Sequence, residues 1–218
     1  MTILYTPGGP GRGKATRTAA LARRLSSQAR VGQVHVIHGT AYSTPFDWAG
    51  ISHSPGNLES AQRYASDLGD NLLVDGDDFY RLNQKGKRTG IDMEITPFML
   101  PFPHEIMSRE DARAFLGFAA DEHVLFVLRN VYHDTISPFL GAATSGWTLA
   151  DVVPYPAAVY MRAADAVIGN AGYNLHWETK LLNIPAFLIP DPRGTDQLLR
   201  TSPKTIDEFS DFLRKLEH

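Results

Sequence analysis

The stretch AADAVIGNAGYNLHWETKLLNIPAFLIP, residues 163–190, carries the rhythm that decides the fold. Its apolar run over 165–169 reads as a buried strand. The tight turn Asn170, Ala171, Gly172 then opens a helix over 173–183, and Pro185 precedes another apolar strand over 185–190. A strand that enters a helix through such a turn leaves N–H groups exposed at the helix start, a natural seat for a diphosphate. Gly172 lets the backbone approach a ligand closely, and Tyr173 and Asn174 begin the helix. Glu178 lies six residues beyond Gly172, about 9 Å along a helix axis. That reach suits a carboxylate accepting hydrogen bonds from ribose hydroxyls while phosphate sits nearer the helix start.

The same alternation runs through the rest of the chain. Residues 122–129 (EHVLFVLR) read as a buried strand, and 151–153 as the end of another; 156–163 read as a helix. A helix over 108–117 has Ser108 and Asp111 at capping spacing and stops on Gly117. The final helix has Thr205 and Glu208 at capping-box spacing, with Ile206, Phe209, Leu213 and Leu216 on one stripe. In the first half, strands are expected over 2–6, 33–39 and 71–78, and helices over 14–28 and 58–68. Residues 40–57 read as a turn-rich segment carrying one short strand. The prolines at 97, 101 and 103 mark a seam, since proline removes backbone donors and disfavours helix before it. The expectation is two small Rossmann-like α/β domains with parallel sheets, residues 1–103 and 104–218.

Composition sets the outer bounds. A formal charge of −3 over 218 residues, without long blocks of one sign, suggests no general affinity for nucleic acid or anionic membranes. Without cysteine there is no disulfide, thiolate nucleophile or cysteine zinc site, which is compatible with a cytoplasmic setting. The sequence shows neither a signal-peptide pattern nor an apolar run of about 18 residues.

The opening loop, GGPGRGKAT over residues 8–16, has two readings. Gly8 followed by Gly13 and Lys14 fits a P-loop and resembles nucleoside monophosphate kinases, with Lys14 on the β and γ phosphates. Against that, Ala15 stands where a general P-loop has a Mg²⁺-binding Ser or Thr, and DGDDFYR at 75–81 only distantly echoes the kinase substrate motif.

Residues 163–190 resemble the donor-binding region of GT-B glycosyltransferases, especially the UDP-N-acetylglucosamine transferases of peptidoglycan synthesis. The matching elements are DAVIGNAG, YNLHWE with Glu178, IPAFLIP, and TDQ with Asp196 and Gln197. The resemblance extends to GRGKATRTAALARRL at 11–25, similar to the family's first loop and helix, and more loosely to ITPFMLPFP. It implies transfer of a sugar from a UDP-linked donor to an unidentified acceptor, with no cofactor beyond the nucleotide-sugar and no metal. Asn170, Gly172, Tyr173, Asn174, Glu178, Asp196 and Gln197 would hold the donor. Gly11, Arg12 and Gly13 would form the acceptor and phosphate loop, and Lys14 and Arg129 would stabilise charge. The sequence departs from the family at Lys14, where histidine is usual, and at Leu175, where Ser or Thr is usual; both halves are also shorter. A non-catalytic sugar-nucleotide binder is the remaining alternative.

Other residues have competing readings. Arg129 follows a strand and faces the expected ligand crevice, or pairs with an aspartate to fix the loop. His133 and Asp134 are acid/base candidates by type. Asp75, Asp77 and Asp78 read as solvated or capping acids rather than metal ligands. His176, two residues from Glu178, falls on another helix face and is expected to be exposed. Tyr173 and Trp177 suit a uracil ring or ordinary packing. FMLPF at 98–102 covers the seam or forms a homodimer contact.

Overall fold

The computed structural model describes residues 2–8, 13–28, 32–68, 72–75, 79–82, 88–89, 99–129, 133–141, 145–193 and 197–217. The chain forms two compact units, Met1–Leu100 and Pro101–His218.

The first unit begins with β1 (Thr2–Thr6), α1 (Gly13–Ser26) and β2 (Val34–His38). Ala15, Ala19 and Ala22 are fully buried on α1, so small side chains let the helix lie close against the sheet. Next come α2 (Thr44–Ala49), β3 (Ser52–Pro55), α3 (Leu58–Leu68) and β4 (Leu72–Asp75). The sheet order is β3-β2-β1-β4, all parallel. Its far edge differs from the expected strand and acidic loop: β5 (Phe79–Leu82) and β6 (Arg88–Thr89) extend the sheet antiparallel. Asp77 and Asp78 lie outside the described residues.

The segment 40–57 holds the expected short strand, β3, and also the unexpected helix α2. Pro45 sits in its first turn, Phe46 is fully buried, and left-handed Gly50 closes it with φ 65°. Six residues are too few to show a helical period. A file of side chains joins α2 to the sheet. His38 Nδ1 donates to the Thr40 carbonyl (3.0 Å), His38 Nε2 meets His53 Nδ1 (3.2 Å), and His53 Nε2 donates to Asp47 Oδ1 (2.9 Å). The carbonyls of Met99 and Leu100 accept from Arg24 and Arg23, and both side chains are buried; Phe98 is outside the described residues.

The second unit opens with α4 (Arg109–Leu116), where Ser108 Oγ accepts from the Asp111 N–H at 3.1 Å and Gly117 turns left-handed at φ 80°. It continues through β7 (His123–Leu128), α5 (Ser137–Leu140), β8 (Trp147–Ala150), β9 (Ala166–Asn170), α6 (Tyr173–Leu182), β10 (Ala186–Ile189) and α7 (Ile206–Arg214). The order β10-β9-β7-β8 is parallel throughout. Phe139, Phe187 and Phe209 meet beneath it, with Phe209 fully buried and 5.1 Å from Phe187. The capping box at Thr205 and Glu208 forms as expected, although Ile206 of the stripe is exposed.

Two expectations are corrected here. The strand near 151–153 is β8, which ends at Ala150 before that segment. Residues 156–163 form two 3-10 turns, Ala157–Val159 and Met161–Ala163, rather than an α-helix. Prolines at 154 and 156 remove donors at its start. At its end, the carbonyls of Ala163 and Ala164 turn to Arg113 and Arg109 instead.

Arg113, 4 % exposed, uses all five of its N–H groups. Nε donates to Ala163, Nη1 to Ala119 and Ala120, and Nη2 to Glu122 and the Asp165 carboxylate. Asp165 also accepts from Arg109 and the Val124 N–H. One side chain thus ties α4 and the loop after it to the start of β9.

Candidate functional site

In the second unit, β7 lies between β8, which follows it in sequence, and β9. The strand order reverses at the β7–β9 pair, and an open α/β sheet forms its crevice at the carboxyl ends of such a pair. Those ends are Leu128 followed by Arg129, and Asn170 followed by Ala171 and Gly172.

Gly172 caps α6 in extended conformation, with no side chain to occupy the helix N-terminus. The approach of helix to strand is close. A Cβ added at Gly169 would lie 2.4 Å from Leu175 Cδ2 and 2.9 Å from the Leu128 carbonyl oxygen. Leu175 therefore fills the space above Gly169 by packing, which accounts for an apolar residue where the resemblance leads one to expect a small polar one. Asn170 is 2 % exposed; its Nδ2 donates to Thr135 Oγ1 at 2.7 Å, while its Oδ1 is buried without a hydrogen-bond partner. Arg200 Nη1 donates to the Ala171 carbonyl at 3.2 Å, and its guanidinium sits 5.4 Å from the Tyr173 ring centre.

Glu178 stands further along α6, half-buried, and no described residue hydrogen-bonds its carboxylate. Desolvation pushes its pKa up to about 7. The folded protein then holds more protons than the unfolded chain between about 4.5 and 7, so this group's contribution to stability falls as pH rises through that window. Glu178→Gln is expected to stabilise the protein at pH 8 by on the order of 2 kcal/mol and to change little at pH 4. Urea midpoints at the two pH values check this; equal shifts at both would remove the buried-acid explanation.

Gln197 and Asp191 form a layer that sequence reading does not show. Gln197 is buried, and its Oε1 accepts from the Asp191 N–H at 2.9 Å. The Asp191 carboxylate, with no exposed surface, takes Arg193 Nε and Nη2 at 2.8 and 2.6 Å, and its Oδ1 also accepts the Arg193 N–H. Arg193 Nη2 reaches Asp134 as well, at 2.7 Å. Hydrogen bonds from Arg193 hold both aspartates below the usual carboxylate range, so Asp134 is poorly suited to accept a proton. The local signal was Asp191 before Pro192, a turn-forming pair; the reach to Asp134 across the unit has no sequence signature.

Arg129 does lie at the end of β7, where Nη2 meets Asp151 Oδ2 at 3.5 Å with both side chains exposed. His176 is buried at 9 % exposure, contrary to expectation. It packs edge-on against Trp177 at 5.0 Å, and burial lowers its pKa. The buried stripe of α6 runs through His176, Thr179 and Leu182 while Leu181 is exposed, so polar side chains on the inner face hid its direction. Gly13 and Lys14 are the first residues of α1 in the other unit, with Lys14 half-buried. Gly11, Arg12 and Asp196 lie outside the described residues. Arg129, Asn170 and Gly172 thus stand at the carboxyl ends of β7 and β9, Tyr173, Asn174 and Glu178 lie on the helix that follows, and Gln197 bonds Asp191 beyond β10. Among the described residues, no helix is long and apolar enough to cross a membrane.

No protein-family model and no curated protein sequence matches the chain. Solved structures do. A Streptomyces sp. SF2575 glycosyltransferase, SsfS6, aligns with TM-score 0.57 and 11 % identity over 100 % of this chain and 91 % of its own. The spinosyn rhamnosyltransferase SpnG, in complex with thymidine diphosphate, aligns with TM-score 0.52 and 11 % identity over 100 % and 92 %. With a parallel sheet in the second unit, a parallel sheet carrying two antiparallel edge strands in the first, and these likenesses along its whole length, the chain has the fold of GT-B glycosyltransferases.

Proposed function

We propose that the chain is a glycosyltransferase whose second unit holds a nucleoside-diphosphate sugar, UDP-linked, at the start of α6. Residues 1–103 are the acceptor side and residues 104–218 the donor side. On this proposal the protein works in the cytoplasm, by analogy with the peptidoglycan UDP-N-acetylglucosamine transferases.

The observation that carries the proposal is the uncapped N-terminus of α6 beside Asn170, whose buried Oδ1 lacks a partner. The Thr135 hydroxyl serves either end of that amide. Turned over, Asn170 presents N–H groups beside the helix start, where a diphosphate is the natural counterpart. SpnG, with its bound thymidine diphosphate, supports a nucleotide on this fold.

Breaking the bond at the anomeric carbon builds negative charge on the departing diphosphate. Backbone N–H groups of the first turn of α6 stabilise that charge, aided by Arg129, whose 3.5 Å pairing with Asp151 is loose enough to exchange. The Glu178 carboxylate accepts from ribose hydroxyls, which replace the water that burial removed from it.

Thermal melting with UDP, thymidine diphosphate and UDP-N-acetylglucosamine tests the reading. Saturating UDP is expected to raise Tm by several degrees, from about 2.7 kcal/mol at a hundredfold excess over Kd. Glu178→Ala is expected to abolish most of that rise. A response confined to ATP with Mg²⁺ would replace this proposal with a kinase. Binding of UDP-sugar without donor hydrolysis or transfer would reduce the protein to a binding module.

A further inference from the structure

The second unit has an open strand edge on the side away from the crevice strands. β10 ends the sheet, paired only with β9. The Pro185 and Ile189 carbonyls accept from Val167 and Ala171, both at 2.9 Å. In a parallel ladder that leaves Ala186 and Leu188 with their N–H and C=O groups turned outward. No described residue hydrogen-bonds these four groups.

A groove of about 840 Å³ runs along this edge. Its walls are helices on opposite faces of the sheet. Leu175 of α6 packs over Gly169 on one face, and Phe209 and Phe212 of α7 pack on Phe187 on the other. The space lies where one more strand would continue the sheet.

The charge of the groove is also one-sided. Lys180, Arg200, Lys204 and Lys215 line it, against Glu208 and Asp211. Both acids are already engaged, Glu208 in the Thr205 capping box and Asp211 with Arg214. Lys180 and Lys204 lie 5.1 and 5.8 Å from the Trp177 and Phe187 ring centres, which hold their charges at the rim.

Solvent-exposed edges are commonly protected by lysine, proline or a bulge on the strand itself. β10 reads Ala-Phe-Leu-Ile between Pro185 and Pro190 and carries no charge. The cations stand on the flanking segments instead, where they face whatever fills the groove. A second copy docked edge to edge would set the groove lysines against their own copies, so it is disfavoured.

We propose that the β10 edge is a docking site for an extended acidic segment of a partner protein, which adds as a fifth strand of this sheet. Main-chain bonds to Ala186 and Leu188 supply binding, and alternate acidic side chains meet Lys180, Lys204 and Lys215. This inference does not depend on the nucleotide reading.

The test uses the full chain and a fluorescent peptide of about eight residues alternating Glu and Val, a length and composition suited to a strand. Anisotropy is expected to show saturable binding. N-methylation of alternate residues on one edge, which removes strand donors, is expected to weaken it about tenfold or more. Lys204→Glu with Lys215→Glu is expected to do the same without moving Tm, and amide exchange at Ala186 and Leu188 is expected to slow on binding. Three results would overturn the proposal: no binding at about 1 mM peptide, the weak end of specific association; equal binding by the N-methylated peptide or a heparin fragment, which marks charge alone; or unchanged exchange at both amides.

Discussion

Arg113→Ala is expected to lower the unfolding free energy of the second unit by about 4 kcal/mol, the range found when one partner of a buried ion pair is removed. The cause is the loss of five donors at once. The carbonyls of Ala119, Ala120, Glu122 and Ala163 lose the guanidinium that satisfies them, and Asp165 keeps only Arg109 and the Val124 N–H. Arg113→Lys should recover less than half, because an ammonium cannot spread its donors across the planar fork. Urea unfolding followed through buried Trp147 measures both variants. A loss below about 1 kcal/mol would mean that water replaces the guanidinium at no more than the net cost of an ordinary hydrogen bond.

Phe209→Ala is expected to cost about 3–5 kcal/mol, the range for emptying a large aromatic site in a packed core. Phe209 has no exposed surface and meets Phe187 at 5.1 Å and Phe139 edge-on at 6.0 Å. Its removal opens the core under β10 and loosens α7, one wall of the groove. Phe209→Leu, which keeps most of the volume, should cost under half as much. If alanine and leucine unfold alike in urea, ring packing is not what seats α7.

The two cases differ in how far the sequence announces them. The α7 stripe and its Thr205–Glu208 cap are readable because helix periodicity and capping are local. Likewise α6 ends where expected, at Asn183, which the structure shows to be left-handed at φ 54°. The parallel strands and the uncapped helix start at Gly172 follow from the same local pattern. Arg113 reads only as one charge on an amphipathic helix; its partners near 163–165 lie about fifty residues away. The Asp134–Arg193 bond spans 59 residues, and the Asn170–Thr135 bond 35. Such contacts depend on which loops the strand order brings together. His176 and α2 fail for another reason: a helix whose buried stripe is polar at His176 and Thr179 while Leu181 is exposed, or one of six residues, does not display the amphipathic period on which exposure is judged.

The Thr40 carbonyl and the Asp47 carboxylate at the ends of the histidine file can only accept hydrogens. The three links between them therefore need three hydrogens from the His38 and His53 rings, and two neutral imidazoles carry only two. When complete, the file is an imidazole and an imidazolium balanced by the Asp47 anion, neutral as a set. The hydrogen bond from His53 holds Asp47 below its usual range, and burial lowers His38. His35 stands apart, its two ring nitrogens taken by Ser52 and Ser54. The file thus counts protons: with one removed, two hydrogens remain for three links, and one link has to open.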